Sequence, residues 1–218
     1  MSLRDELEEF RQYFLANFPA EKAAIMARAD AELNERQVLK HVLKVGDTAP
    51  SFSLPSATGQ TITLESLLYK GPAVVVFYRG GWCPYCNLEL RAYQRLLPEI
   101  QKAGGQLVAI SLQSPDETLS TQEKNELAFP VLSDTDGKVT QAFGLLFELP
   151  DYLQALYTEL GHDLPNIQSV GKWALPVPGT FVIAPNGKIV SSYADVNYRV
   201  RMEPEEALAA VKAIPITV

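Results

Sequence analysis

This 218-residue chain has little positive charge and no long apolar run, and each shortage excludes a class of function. Lys and Arg number 19 against 26 Asp and Glu, which gives a net charge of -7, and no basic cluster offsets this balance. Such a surface does not favour the phosphate backbone of a nucleic acid. An apolar stretch such as AVVVF at 73–77 is far shorter than the roughly 20 residues of a membrane-spanning helix. We therefore expect neither a nucleic acid nor a membrane as partner.

Residues that bind soft metals are also scarce, because the chain has two cysteines and two histidines. A structural zinc site uses about four such ligands. His41 falls in a predicted N-terminal helix and His162 in a later segment, so the sequence places neither beside the cysteines. We interpret both histidines as surface or capping groups. Gly80 and Gly81 open neither a GxGxxG nor a phosphate-loop pattern. The sequence therefore predicts no metal and no other cofactor.

The first ten residues, MSLRDELEEF, are charged and amphipathic, unlike the basic and then apolar segment that directs secretion. We therefore expect the chain in the reducing cytoplasm, where cysteines persist as thiols unless they cycle. Hydrophobic residues make up 47% of the chain and charged residues 21%, which is typical of a globular protein.

Two helices are predicted at the N-terminus. Ser2 is a candidate N-cap for the first, and the second runs from about Pro19 to Leu43. Gly, Asp and two prolines in VGDTAPSFSLP then mark a boundary. The sequence predicts a helical extension over 1–44 and an α/β domain over 45–218. The apolar residues of the first helix follow helical spacing: Leu3, Leu7, Phe10, Phe14 and Phe18.

The pattern after residue 44 is typical of a central mixed β-sheet flanked by helices. Residues 73–78 and 107–111 are continuous apolar runs, as expected of strands that are buried on both faces. A helix predicted over 84–103 joins them into a βαβ unit. Residues 145–172 interrupt the alternation with a separate helix, and we interpret them as an insertion. The stretch TFVIAPNGKIVSSY at 180–193 predicts a β-hairpin around Pro-Asn-Gly.

Both cysteines lie in FYRGGWCPYCNLEL at 77–90, directly after a strand and at the start of a helix. With Pro84 at the first helical position, Cys83 becomes the N-cap and Cys86 lies in the first turn. Free N–H groups and the positive end of the helix dipole stabilise a thiolate there, so we expect lowered thiol pKa values. Two thiols on one turn can also close into a disulfide. This arrangement favours a redox pair over a metal site or two inert core cysteines.

The segment GWCPYC resembles the active-site loop of thioredoxins and glutaredoxins. The longer RGGWCPYCNLE is similar to the peroxiredoxin family, the alkyl hydroperoxide reductase and thiol-specific antioxidant group, whose loop carries Pro, Thr or Ser, and then the peroxidatic Cys. On this pattern Cys86 is peroxidatic and Glu89 matches a Glu that often follows it. Arg79 replaces the Pro, and Cys83 replaces the Thr or Ser. The resemblance spans roughly 45–215 and implies a thioredoxin-like fold.

The resemblance also implies further site residues. Thioredoxin-like proteins have a cis proline beside the cysteines, and Val177-Pro178 matches that position. An arginine often polarises the peroxide; Arg79 is the first candidate, since it follows the strand that leads into the loop, and Arg199 and Arg201 stay open. The remaining residues expected to shape the loop and a substrate or partner surface are Trp82, Pro84 and Tyr85.

Three functions follow as hypotheses. In a peroxiredoxin-like peroxidase, Cys86 attacks hydrogen peroxide or an organic hydroperoxide, Cys83 resolves the sulfenic acid, and a thioredoxin-like reductant restores both thiols. In a disulfide reductase, Cys83 attacks a substrate disulfide and Cys86 resolves the mixed disulfide. In a binding module, the fold is a scaffold and the extension and insertion hold a partner. The helical extension also makes a homodimer a candidate assembly.

Overall fold

A computed structural model describes residues 1–168 and 170–215 of the chain. Its centre is a five-stranded mixed sheet built from β3 (Ala73–Phe77), β4 (Gln106–Ser111), β5 (Val131–Ser133), β8 (Gly179–Ile183) and β9 (Ile189–Ala194). The strand order is β5-β4-β3-β8-β9; β3, β4 and β5 run parallel, and β8 is antiparallel to both β3 and β9. The predicted βαβ unit and the C-terminal hairpin are thus confirmed.

The apolar run of β3 is buried on both faces because successive side chains point to opposite sides of the sheet. Val75 and Phe77 join the core on one face, whereas Val74 and Val76 join the core on the other. All four are fully buried. The sheet therefore separates two apolar cores, and helices close both of them.

The other elements surround this sheet. In chain order they are α1 (Leu3–Asn17), α2 (Ala20–Glu35), a 3₁₀ turn (Val38–His41), β1 (Ser53–Pro55), β2 (Thr61–Thr63), α3 (Leu64–Leu68), α4 (Pro84–Lys102), α5 (Pro115–Lys124), α6 (Lys138–Ala142), β6 (Leu146–Glu148), α7 (Asp151–Glu159), α8 (Leu164–Ile167), β7 (Ala174–Pro176) and α9 (Pro204–Lys212). Within 1–168 and 170–215, no helix combines the length and apolar character needed to cross a bilayer.

The two N-terminal helices pack on opposite faces of the sheet. Leu3 and Leu7 of α1 belong to the same core as Val74, while Met26, Ala29 and Leu33 of α2 belong to the core of Val75. The backbone N–H groups of Leu3 and Arg4 donate to the Glu203 carboxylate at 3.1 and 2.8 Å, which ties the start of α1 to the start of α9. The division at residue 44 stays a prediction, since both parts share these cores.

The second helix is shorter than predicted. It ends at Glu35, where the sequence pattern indicated continuation to Leu43. Gln37 adopts a left-handed backbone conformation with φ 52°, which interrupts the α-helical hydrogen bonds, and the 3₁₀ turn follows. Ser2 caps α1 as expected, because its hydroxyl accepts the Asp5 N–H and the Asp5 carboxylate accepts the Ser2 N–H.

The segment predicted as an insertion contains the expected separate helix, α7, and a short second one, α8. The two-stranded sheet β6–β7 brackets both helices, with Leu146 opposite Pro176 and Glu148 opposite Ala174. Leu153, Leu156 and Leu164 anchor the segment in the core that also holds α2. This segment therefore packs as part of the domain and brings α7 next to α2.

Gly144 lies where the turn after α6 meets the end of the N-terminal extension. Its φ is 76°, and a Cβ there would come within 2.1 Å of the His41 carbonyl oxygen. We expect Gly144→Ala to lower the free energy of unfolding by roughly 3 kcal/mol or more, because backbone has to move as well as adopt a strained conformation. Urea unfolding followed by circular dichroism measures this change.

Gly161 provides the matched control, because its φ is 82° but an added Cβ would meet nothing within 4 Å. Gly161→Ala introduces backbone strain alone and is expected to cost about 1 kcal/mol. Equal losses in the two variants would contradict the close approach at Gly144.

Candidate active site

The two cysteines lie at the start of α4, as the sequence predicts. Cys83 is the N-cap residue with extended backbone, Pro84 opens the helix, and Cys86 lies in the first turn. Both are free thiols, and Cys83 and Cys86 are 1% and 0% exposed. The helix start therefore carries a buried dithiol.

The glycine pair before the cysteines lets the loop fold tightly. Gly80 has φ 151°, and a Cβ there would come within 2.3 Å of the Trp82 indole nitrogen. The Gly81 N–H donates to the Gln113 side-chain oxygen at 2.9 Å, and the Asn87 side-chain amide donates to the Gly81 carbonyl at 2.8 Å. These bonds fix the loop and the position of Trp82 above it.

Cys86 receives two positively polarised donors. The Arg79 backbone N–H donates to its Sγ at 3.4 Å, and the Arg201 Nη2 donates to the same atom at 3.6 Å. Arg201 also donates through Nε to Glu89 Oε2 at 2.7 Å, and both side chains of this ion pair are almost fully buried. A carboxylate thus orients the guanidinium that touches the sulfur.

The sequence analysis preferred Arg79 over Arg201 as the assisting arginine, and the structure brings both to the dithiol. Arg201 had no local signal, because it lies 112 residues from Glu89 in the segment between β9 and α9. The available sequence clue was Glu89, one helical turn after Cys86, because a carboxylate that is buried at such a position needs a cationic partner.

Arg79 is itself buried, with 4% of its surface exposed. Its Nη2 donates to the Tyr157 hydroxyl, and its guanidinium carbon lies 4.0 Å from the Tyr198 ring centroid and 5.2 Å from that of Trp82. No carboxylate in the described part of the chain forms an ion pair with it. Since no ion pair among the described residues neutralises the Arg79 guanidinium, its positive charge is available to stabilise a thiolate on the neighbouring cysteines.

The two thiols have opposite pKa shifts, although the sequence predicts lowered values for both. Burial disfavours the Cys83 thiolate, but the hydrogen bond from Cys86 and the charges of Arg79 and Arg201 outweigh it and lower the pKa to about 6. Burial, together with the adjacent Cys83, raises the pKa of Cys86 well above its ordinary value. The reduced pair therefore shares a single negative charge at neutral pH.

Glu89 occupies a low-dielectric position beside this pair. Burial raises the pKa of its carboxyl to about 7, while the adjacent Arg201 acts in the opposite direction. The second carboxyl oxygen, Oε1, is buried without a hydrogen-bond partner among the described residues. Glu89 thus lies within the charge cluster, as the sequence pattern indicated.

Val177 and Pro178 lie beside Arg79, but the expected cis bond is absent. Residue Phe77 of β3 pairs with Gly179 of β8, which brings Val177 and Pro178 next to Arg79. Every peptide bond of the described residues, including Val177–Pro178, is trans. The cis prediction rested on the resemblance alone, and the trans form is the intrinsic preference of an X-Pro bond.

A cavity of about 310 Å³ opens in front of Cys83. Trp82, Pro84 and Tyr85 of the loop line it, as predicted for residues that shape a substrate surface. Cys86 does not line this cavity and lies behind Cys83. Arg79, also a predicted site residue, lines the same cavity. The other parts of the wall were not predicted and include side chains of α1, α2 and α7 together with His162 and Tyr198.

His162 was interpreted as a surface or capping group; it is half-buried at the edge of the cavity, and its backbone N–H caps the end of α7 by donating to the Tyr157 carbonyl oxygen at 2.8 Å. Its ring lies 4.9 Å from the Trp82 ring centroid, and burial followed by the charge of Arg79 lowers its pKa. His41, by contrast, is exposed on the 3₁₀ turn. Within 1–168 and 170–215, no three His, Cys, Asp or Glu side chains are grouped closely enough to hold a metal ion.

Comparisons with known proteins agree with this geometry. The model of the AhpC/TSA family matches residues 45–192, and the chain belongs to this family. Peroxiredoxin Bcp of Escherichia coli K12 is 36% identical over 104 residues, which cover 47% of this chain and 65% of that protein. A second relative with a peroxiredoxin name, from Mycobacterium tuberculosis H37Rv, is 31% identical over 155 residues, covering 71% of this chain and 87% of the relative.

Solved structures confirm the predicted thioredoxin-like, peroxiredoxin-type fold. Peroxidoxin BcpB from Mycobacterium tuberculosis is similar with a TM-score of 0.63 and 26% identity, covering 80% of this chain and 99% of that one. Peroxiredoxin Q from Xanthomonas campestris is similar with a TM-score of 0.57 and 25% identity, covering 74% and 90%. The helices α1 and α2 precede the family match, which begins at residue 45.

The charge of Arg79 is expected to control the ionisation of Cys83. We expect Arg79→Gln to raise the Cys83 pKa from about 6 by at least about one unit, because an opposite charge near the thiolate is removed. Arg79→Lys keeps the charge and is expected to retain a lowered pKa. Thiolate absorbance at 240 nm, followed against pH, measures the shift.

Arg199 is the matched control, since its guanidinium also contacts Tyr198 but is paired with Asp30 at 2.5 Å. Arg199→Gln is expected to leave the thiolate titration unchanged. An equal shift in the Arg199 and Arg79 variants, with thermal unfolding intact, would show that the effect is not specific to Arg79.

Proposed function

We propose that this chain is a thiol-dependent peroxidase that reduces hydroperoxides through the Cys83/Cys86 pair. The observation that carries the proposal is the buried dithiol at a helix N-terminus, with Arg201 hydrogen-bonded to Cys86 and Arg79 lining the same cavity as Cys83. A thiolate is the species that attacks a peroxide oxygen, and a second thiol one turn away can close on the oxidised sulfur. Membership of the AhpC/TSA family and the peroxiredoxin names of the relatives support the same activity.

The proposed cycle has three balanced steps. The thiolate sulfur bonds to the terminal peroxide oxygen, the O–O bond breaks, and the leaving alkoxide or hydroxide takes a proton, so the sulfur becomes a sulfenic acid. The second thiol then attacks this sulfur, a water molecule leaves, and a Cys83–Cys86 disulfide forms. A thioredoxin-type dithiol finally reduces the disulfide by exchange and is itself oxidised.

We propose that Cys83 attacks first, which is the reverse of the order that the family pattern indicates. Cys83 lines the cavity, whereas Cys86 is fully buried behind it. The lowered pKa of Cys83 and the raised pKa of Cys86 favour the thiolate on the accessible sulfur. Cys86 then serves as the resolving thiol.

The arginines have positioning and electrostatic roles in this proposal. The guanidinium of Arg79 faces Cys83 from the cavity wall and stabilises the attacking thiolate. Arg201, oriented by Glu89, donates to the Cys86 sulfur and stabilises negative charge there when Cys86 loses its proton. Preorganised donors of this kind act most strongly in a site that excludes water.

We also propose that the protein works in a reducing compartment such as the cytoplasm, because the disulfide has to be reduced in each cycle. We also propose that the chain forms a homodimer, on the basis of its N-terminal extension of two helices.

Single serine variants test the cycle and the order of attack. Cys86→Ser is expected to react with one equivalent of hydroperoxide and to accumulate a sulfenic acid on Cys83, because its resolving thiol is absent. Cys83→Ser is expected to react at least about a hundredfold more slowly, since Cys86 is fully buried and does not line the cavity that a peroxide would enter. Mass spectrometry after dimedone trapping identifies the modified sulfur.

The double variant Cys83→Ser/Cys86→Ser is the control and should show no adduct. A rapid adduct on Cys86 in the Cys83→Ser variant would restore the order given by the family pattern. Slow peroxide reaction of the wild-type chain together with rapid reduction of insulin disulfides would replace the peroxidase by a disulfide reductase.

The ionisation of Cys83 predicts a pH dependence of the first step. A group with a depressed pKa is deprotonated above that value, so the rate of thiol oxidation should rise about tenfold per pH unit below about pH 6 and level off above pH 7. Stopped-flow tryptophan fluorescence with the Cys86→Ser variant measures this profile. A profile that still rises through pH 8.5 would show an ordinary thiol instead.

A further inference from the structure

We infer that Phe14, with Phe10 and Phe18 of the N-terminal extension, determines how strongly the cavity in front of Cys83 favours a compact apolar hydroperoxide over hydrogen peroxide. The inference rests on the proposed peroxidase function and names residues that select among its hydroperoxide substrates. It assigns a role to α1, a helix that lies outside the residues matched by the family.

The volume of the cavity exceeds the needs of hydrogen peroxide. At about 310 Å³ it could hold on the order of ten water molecules and falls at the lower end of the range for small-molecule pockets. A hydroperoxide with about ten non-hydrogen atoms has the matching size. Hydrogen peroxide would leave most of the apolar wall without contacts.

The chemistry of the wall is aromatic. Phe10 and Phe14 lie on one face of α1, and Phe18 is the residue that directly follows the helix. Trp82 of the loop, Tyr85 of α4 and Tyr157 of α7 complete the aromatic wall. Phe14 and Phe18 stack with centroids 4.3 Å apart, and Phe10 meets Tyr85 edge-on at 5.0 Å. Such a wall gains free energy by burial of an apolar or aryl group and offers little to a small polar peroxide.

The burial pattern of α1 separates its structural and its binding residues. Leu3 and Leu7 are 2% and 5% exposed and fill the core. Phe10 and Phe14 continue the same face of α1, and Phe18 directly follows the helix. All three rings pack against the two cores on one side but remain half-buried, because the cavity opens beside them. These three rings can therefore contact a ligand directly.

Hydrogen bonds and ion pairs hold the helices of the cavity wall against the rest of the domain. The Glu203 carboxylate binds the first N–H groups of α1, and Arg95 of α4 pairs with Glu6 of α1 at 2.5 Å. On the other side, Lys22 of α2 pairs with Glu159 of α7 at 2.7 Å. A wall anchored to the domain on both sides is largely preformed, which lowers the entropic cost of binding.

The experiment compares hydrogen peroxide with cumene hydroperoxide in the full chain. Phe14→Ala is expected to lower kcat/KM for cumene hydroperoxide about tenfold, mainly through KM, and to change kcat/KM for hydrogen peroxide less than twofold. Phe14→Leu keeps an apolar side chain and should lose less. Leu15→Ala, at a neighbouring position of α1 that is 54% exposed, is the matched control and should change neither value.

A second measurement does not depend on turnover. The product alcohol, 2-phenylpropan-2-ol, should quench or shift Trp82 fluorescence in the wild type and in Leu15→Ala, and bind at least about tenfold more weakly to Phe14→Ala. Equal loss with both peroxides, unchanged efficiency in Phe14→Ala, or equal alcohol binding by all variants would overturn the inference. Alcohol binding at this cavity in a chain that reduces neither peroxide would keep the inference and contradict the peroxidase.

Discussion

The structure of this site depends on the balance between the positive and negative charges of side chains that are buried close together. Arg79 and Arg201 bring two positive charges, and Glu89 offsets one of them through its ion pair with Arg201 when its carboxyl is ionised, above its pKa of about 7. The remaining positive charge is matched when the dithiol holds one thiolate. A buried charge without a partner is expensive, so the protein environment itself favours the ionised pair. The helix N-terminus adds to this effect without another charged residue.

This balance explains why neither thiol resembles an ordinary surface cysteine. If both lost their protons, two adjacent negative charges would repel in a low-dielectric volume, and if both kept them, the positive charge of Arg79 would be unmatched. A dithiol that keeps one proton carries one negative charge, which avoids both the repulsion between two thiolates and the unmatched charge of Arg79. The cysteine that replaces the Thr or Ser of the family pattern thereby changes the electrostatics of the loop as well as its chemistry.

The sequence predicted the features that depend on local patterns. Continuous apolar runs identified β3 and β4, Pro84 placed Cys83 and Cys86 at a helix start, and Pro-Asn-Gly identified the hairpin, because each signal is confined to a few neighbouring residues. The end of α2 was missed, since the left-handed Gln37 has no distinctive residue type. Arg201, His162 and the phenylalanines of α1 could not be assigned, because tertiary packing alone brings them to the cysteines.

The shared thiolate also has a consequence for the reduction potential of the pair. Formation of the disulfide removes the negative charge from beneath Arg79 and Arg201 and leaves a surplus positive charge in the protein interior. The environment therefore stabilises the reduced form more than the oxidised form, which raises the potential and makes the disulfide a ready electron acceptor. Each oxidised molecule would then accept electrons even from a weakly reducing donor, because the charges that stabilise the thiolate also make the disulfide easier to reduce.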